Sequence, residues 1–327
     1  MRTPSGLVTY TWTARNELHQ VFRGAQLWST YAYDDVGNRR SVAYANGTVQ
    51  ALAYNAKNQL TEIQNTAGQA VISSYGYTVD PRGLRTSVVE HTGRRVDYRY
   101  DALRRLVEEA VTEAGVATAT TYTLDAVGNR LAKRTAKPGG LIETTGYAYN
   151  ANDELLTENG SDGLVSYGYN ANGETTSKSS SAGGALYHWD ADGRMVGFQS
   201  AGTTASFTYD VDGIRLAKSA NGQATRFLVD KNRDYAQVLE ERSGSGEIDV
   251  AYIYGDDLIS QERSGAASFY HTDGQLSTRQ LTNASGQVTD RYTYDAFGVT
   301  LASTGTTANN YLYTGEQFDP NVGFYHL

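Results

Sequence analysis

An aromatic-x-aromatic-Asp/Asn-x-x-Gly pattern recurs every 19 to 25 residues along most of this 327-residue chain. Its clearest copies are Tyr31-Ala32-Tyr33-Asp34 with Gly37, Tyr147-Ala148-Tyr149-Asn150, and Tyr167-Gly168-Tyr169-Asn170 with Gly173. Tyr187-His188-Trp189-Asp190 with Gly193, Phe207-Thr208-Tyr209-Asp210 with Gly213, and Tyr292-Thr293-Tyr294-Asp295 with Gly298 complete the set. Similarity at a fixed period means one small supersecondary unit stacked many times. Rings two residues apart share one face of a strand, whereas on a helix they stand about 200° apart and make no stripe. The unit is therefore β, and enrichment in Tyr, Thr and Val agrees. A chain of this length could hold two or three ordinary domains, but an unbroken repeat predicts one extended body.

The turns are written into the same pattern. Asp34 to Gly37 places Asp at the first position and Gly at the fourth, the preference of a type I turn. Asp80, Asp125, Asn170, Asp190, Asp210 and Asp295 open equivalent turns. Asn58 and Asp153 stand where Gly is expected and tolerate the left-handed region; Arg104 at the same position fits less well. Asn46-Gly47, Asp162-Gly163, Ala201-Gly202, Asn221-Gly222 and Ser285-Gly286 mark a second, two-residue hairpin turn about ten residues on. Each repeat thus reads as strand, turn, strand, turn. About thirty strands at about 4.8 Å spacing give a ribbon on the order of 145 Å long. Because sheets twist and open edges aggregate, such a ribbon is expected to coil. Extra residues around Thr112–Thr118 and Lys137–Ile142 read as longer loops, and the charged stretch Lys231–Glu247 reads as a surface excursion.

Composition removes several classes of function. There is no cysteine, so neither disulfides nor thiol chemistry enter. A net charge of −8 with scattered Arg and Lys gives no basic stripe for nucleic acid. No run of about 18 apolar residues is present to span a membrane. Met1–Gly6 has no apolar core of a secretory signal, and a start within repeat-like sequence is expected of a piece of something longer. His19, His91, His188, His271 and His326 are spread too widely for metal-ligand spacing. Asp190-Ala191-Asp192-Gly193 and Asp210-Val211-Asp212-Gly213 lack the later ligands of a calcium loop. No metal and no cofactor is expected. The tyrosine stripes read as cross-strand packing, with a carbohydrate or cell-surface binding platform as the alternative.

The stretch Tyr31 to Arg39, and Asp125-Ala126-Val127-Gly128-Asn129-Arg130 after it, resembles the YD repeat of Rhs and teneurin-type shells. Tyr270-His271-Thr272-Asp273, Ser277-Thr278-Arg279, Tyr292 to Gly298 and Tyr313 to Leu327 in this order resemble the Rhs-associated core. The resemblance covers nearly the whole chain and implies an all-β fold, a spiralling ribbon of hairpins forming part of a hollow shell. It divides the chain into a YD-repeat ribbon, residues 1–250, and the start of the core, residues 251–327, in one continuous architecture.

What the resemblance implies for function is structural encapsulation. Such shells enclose a toxic C-terminal domain in bacterial polymorphic toxins and in the C components of insecticidal toxin complexes. The implied partners are that domain, the rest of the shell and other toxin or secretion components, and the implied location is outside the cell or in transit through a secretion system. In the family the core can cut itself in an aspartyl-protease manner with Asp residues of Asp-Pro-x-x-Gly motifs. Here the first such motif is Asp319-Pro320-Asn321-Val322-Gly323, and the sequence stops at Leu327 before a second. Aspartyl chemistry needs two carboxyls sharing a proton, so no self-cleavage is expected of this chain and Asp319 is the one catalytic candidate. The core motif contributes Tyr270, His271, Asp273, Arg279, Asp295, Gly298, Pro320 and Gly323. Gly274-Gln275-Leu276 departs from the more usual His-Leu-Gly after Asp273.

Overall fold

The computed structural model describes residues 1–233 and 235–326. Regular structure among them is strand, apart from two single 3-10 turns at Pro138–Gly140 and Tyr313–Gly315. Twenty-nine of the described strands belong to one antiparallel sheet, and Gln317–Asp319 pairs with Phe324–His326 in a small second one. The all-β ribbon of hairpins is what forms.

The Gln26–Tyr33 and Arg39–Tyr44 hairpin shows why. Gly37 N donates to Asp34 O at 3.1 Å and Asp34 N donates to Asn38 O at 2.9 Å, so a type I turn closes the strands. The Asp34 carboxylate accepts from the Val36 and Asn38 amides at 3.1 and 2.8 Å, satisfying donors the turn leaves unpaired. Gly37 takes a φ of 91°, and the register slips by one residue at Tyr33, a bulge that absorbs the extra turn residue. The side-chain bonds recur at Asp80, Asp101, Asn150, Asn170, Asp190, Asp210 and Asp295. Asn58, Arg104 and Asp153 adopt φ of 57°, 66° and 63°, so all three turns survive without glycine. At Arg104 the left-handed penalty of roughly 1–2 kcal/mol is offset by two amide bonds to Asp101 and by the Arg105–Asp101 ion pair.

Three loop expectations change. Asn46-Gly47 and Ser285-Gly286 close four-residue turns, with Gly47 N on Tyr44 O and Gly286 N on Asn283 O, rather than two-residue hairpins. The extra residues near Thr112–Thr118 lengthen strands Leu106–Glu113 and Val116–Leu124, whereas Pro138–Gly140 does form a loop. The stretch Lys231–Glu247, Asp234 of which lies outside the described residues, contains strand Gln237–Ser243, paired on both sides. Its Leu239, Glu240 and Glu241 are buried. The charges that suggested solvent are held by internal partners.

The second aromatic of the repeat bonds backwards. Tyr54, Tyr100, Tyr149, Tyr169 and Tyr209 donate their O–H groups to the carbonyls of Arg39, Arg85, Arg130, Leu155 and Met195, at 2.8 to 3.2 Å. Trp189 substitutes an indole N–H, 2.7 Å from Thr175 O, and Tyr294 reaches Thr278 O at 2.9 Å. Each acceptor is the first strand residue after the preceding turn. A second row of bonds links the turns themselves: Asn38 to Asn58, Arg105 to Asp125, Asn129 to Asp153 and Arg194 to Asp210. Period, turn and ring spacing are thus one device, in which these seven strands are bonded to their predecessors beyond the strand pairing.

The chain divides into two compact units, Met1–Tyr77 with Ala224–Leu327, and Thr78–Gln223. In the second unit the aromatic face is covered by cations: Arg130 lies over Tyr147 at 4.6 Å, Lys178 over Tyr167 at 5.8 Å and Arg194 over Tyr209 at 5.7 Å. Tyr187 is buried against Phe198 at 5.5 Å. In the first unit the early hairpins pack face to face on the late ones. Val8, Leu18, Val21, Trp28, Tyr31 and Val42 meet Ile253, Ile259 and Phe269 in one core. Burial of each large apolar side chain contributes about 1.5–3 kcal/mol. The opposite face of the late strands is covered by the segment after Thr304, through Tyr311 packed with Tyr252, Tyr254, Tyr270 and Leu281. Strand Thr278–Thr282 is therefore buried on both faces over all five residues.

Candidate functional site

The C-terminal motifs converge in this doubly covered layer. Strand Ala266–Thr272 carries Tyr270 and His271 to opposite faces. Tyr270, 2% exposed, donates to Asn309 Oδ1 at 2.9 Å. His271, fully buried, faces the early hairpins: its Nε2 is 2.9 Å from Thr282 Oγ1, which also accepts from Asn46 Nδ2. Tyr44 meets the imidazole edge-on at 5.5 Å, and His271 Nδ1 has no hydrogen-bond partner among the described residues. Burial lowers the imidazole from 6.5 to about 4, so it is neutral at physiological pH.

Asp273 opens the turn that follows. Its Oδ1 accepts from the Gln275 and Ser277 amides at 2.9 and 3.2 Å, and its Oδ2 from Arg279 at 3.2 Å. Arg279 also donates to Tyr292 O at 3.0 Å and lies 4.9 Å over the Tyr75 ring. Leu276 takes the left-handed position of the turn, φ 63°, and Gly274 N donates to Tyr77 OH at 2.7 Å. The substitution of Gly-Gln-Leu for His-Leu-Gly thus leaves the turn intact, with Leu bearing the backbone strain. Asp295 caps its turn through the Phe297 and Val299 amides, and Gly298 sits under the Tyr313 ring.

Asp319 is 3% exposed. Its carboxylate accepts from Asn321 N at 3.1 Å and its carbonyl from Gly323 N at 2.8 Å. Pro320 is exposed and Gly323 holds φ 76°. Gln317, on the strand of Asp319, reaches one of two buried carboxylates that sequence reasoning passed over. Glu241 accepts from Tyr252 OH at 2.8 Å and Gln317 Nε2 at 3.0 Å. Glu240 accepts from Ser5 N and from Arg242. Burial acts to raise Glu240, and its hydrogen bonds outweigh that and hold it below the usual glutamate range. Strand alternation was hidden because Glu240, Glu241 and Arg242 read as surface charge.

The repeat residues lie along the sheet outside this layer, except Tyr292 and Tyr294, which take part in it. Tyr31 is buried and Tyr33 OH reaches Asp256 at 3.2 Å, beside Arg39, which pairs with Asp257 at 2.6 Å. Tyr167 donates to Glu158 at 2.9 Å; Asp34, Gly37, Asp190, Gly193, Asp210 and Gly213 form turns; Tyr292 is half-buried. Among the described residues no group of three His, Asp or Glu could hold a metal ion, and no helix is long and apolar enough to cross a membrane.

Known proteins share this architecture. Crystal structures of TcdB2-TccC3, alone and with Cdc42, superpose over 98% and 97% of the chain with TM-scores of 0.67 and 0.68, at 14% and 12% identity. The chain corresponds to 19% and 18% of those chains, and the likeness is one of fold. By sequence it is 33% identical over 115 residues to the tRNA3(Ser)-specific nuclease WapA of Bacillus spizizenii and 30% identical to the tRNA nuclease WapA of Bacillus subtilis. Those 115 residues are 34% of this chain and 5% of each relative. The RHS repeat matches residues 30–70, and the teneurin YD-shell matches residues 84–327. With the match extending over residues 84–327, most of its length, the chain belongs to the teneurin YD-shell family.

Proposed function

We propose that this shell-type module is wall of a YD-repeat cocoon that sequesters the C-terminal toxic domain of a secreted bacterial toxin. The observation that carries the reading is the long antiparallel sheet, reinforced by seven backward side-chain bonds and shared in fold with TcdB2-TccC3. A wall of paired strands bonded to one another presents few free backbone groups, which suits containment better than turnover. Its motif side chains are engaged with one another: Asp273 with Arg279, and neutral His271 with Thr282. On this reading residues 1–250 are wall and residues 251–327 begin the core that closes it. The partners are the enclosed domain and the remaining shell, delivered outside the producing cell.

Asp319 belongs to this proposal as one carboxyl of a self-cleaving core. In the full-length parent protein, Asp319→Asn abolishes cutting if that role holds; continued cutting rejects it. The containment reading is tested by electron microscopy of the same parent. A hollow particle with density inside supports it, and a solid particle without a lumen overturns it.

A further inference from the structure

A cavity of about 210 Å³ opens among the late strands of the first unit. The phenol rings of Tyr254, Tyr270 and Tyr311, all buried, form its walls. The polar groups that line it beside them include Gln237, Asp256 and Glu316. Two of these three, Gln237 and Glu316, carry an oxygen without a partner among the described residues. Gln237 Oε1 is buried with no hydrogen bond among the described residues. The Glu316 carboxylate has no hydrogen bond or ion pair among the described residues, and burial raises it above the ordinary glutamate range. Asp256 accepts from Tyr33 OH at 3.2 Å and stands 3.8 Å from Arg39; burial still raises its carboxyl.

The neighbouring cations are engaged elsewhere. Arg39 makes its shorter contact with Asp257, at 2.6 Å, and Arg233 pairs with Asp230 at 3.5 Å. Asp256, Asp257 and Glu316 therefore place more negative charge around the cavity than Arg39 neutralises. Removing a carboxylate from water without a partner is costly, so the cavity is shaped for a group that supplies both positive charge and N–H donors. Its volume lies below the roughly 300–1,000 Å³ of pockets for drug-sized ligands and equals the space of about seven waters. That is room for one side chain. A sugar fits less well, because it needs an open aromatic face and these three rings are 6%, 2% and 7% exposed.

We propose that this cavity is a receptor for a single guanidinium or alkylammonium group, presented by a basic side chain of a polypeptide that docks on the late strands. Glu316 supplies the charge, and the tyrosines exclude water from the ion pair.

The test is calorimetric titration of this chain with butylguanidinium and with its neutral isostere butylurea. Butylguanidinium is expected to bind with a Kd on the order of millimolar, and butylurea about tenfold more weakly or less. Glu316→Gln is expected to weaken butylguanidinium about tenfold and leave butylurea unchanged, while Glu247→Gln, an exposed carboxylate in another turn, changes neither. Equal binding of the two probes, unaltered affinity in Glu316→Gln, or no saturable binding of butylguanidinium overturns the proposal. The comparison of charged with neutral probe needs only the unaltered protein, so it decides the question even where a variant folds poorly.

Discussion

Acidification should weaken the first unit through His271. The imidazole is fully buried between Thr282 and Tyr44, and burial holds it at about 4 against 6.5 when exposed. The folded state therefore binds fewer protons than the unfolded state between these values. Stability is complete above pH 6.5 and is lost as pH falls towards 4. Linkage sets the full loss at about 3 kcal/mol, with ~2 kcal/mol gone by pH 5. Asp256 and Glu316, both raised by burial, act in the opposite sense at the acid end. They are common to wild type and variant and cancel on comparison. The assay is urea unfolding at pH 7, 6 and 5 for wild type and His271→Gln, whose amide N–H can still serve Thr282. Wild type should lose ~2 kcal/mol relative to the variant between pH 7 and pH 5. A constant difference across that range would refute the reasoning, and so would a wild type that gains on the variant as the pH falls.

Tyr169→Phe and Tyr209→Phe each delete one O–H bond to a carbonyl and should each cost about 1 kcal/mol in urea unfolding. The two costs should add in the double variant. Asp273→Ala leaves the Arg279 guanidinium buried without its carboxylate and should cost about 3–5 kcal/mol; a loss under 1 kcal/mol would mean that Arg279 finds water. Gly298→Ala puts a Cβ 2.6 Å from the Tyr313 ring at a φ of 87°. It should cost about 1–3 kcal/mol and lower the Tm, and an unchanged Tm would show that Tyr313 moves aside freely.

Period and turn chemistry were legible in the residues because both act locally. Ring spacing decides strand over helix, and an Asp at the turn entrance bonds its own backbone, so Asp34 to Gly37 could be read from four letters. The backward bonds of Tyr149 or Tyr209 were not legible, because they join residues 14 to 19 positions apart whose proximity depends on the strand pairing. Arg104 shows how a local rule yields: the turn forms at an unfavourable residue because Asp101 and its neighbours hold it. The error at Lys231–Glu247 has a different source. Charge usually marks solvent, and Glu240 is buried because Ser5, 235 residues away, donates to it. The core motif was recognised by its letters, but its geometry depends on a face covered from both sides. No single repeat carries that information.

The backward aim of the tyrosines gives the wall a direction in time. Where such a bond occurs, a new strand ties itself to one already made, so the wall can grow there in the order of synthesis without waiting for later sequence. The first unit is the exception. Val8, Leu18 and Trp28 find their apolar partners at Ile253 and Phe269, roughly 240 residues later, and a ribosome moving at about 5–20 residues per second needs roughly 12 to 48 seconds to reach them. Through that interval the earlier hairpins hold an apolar face that these later strands have yet to cover.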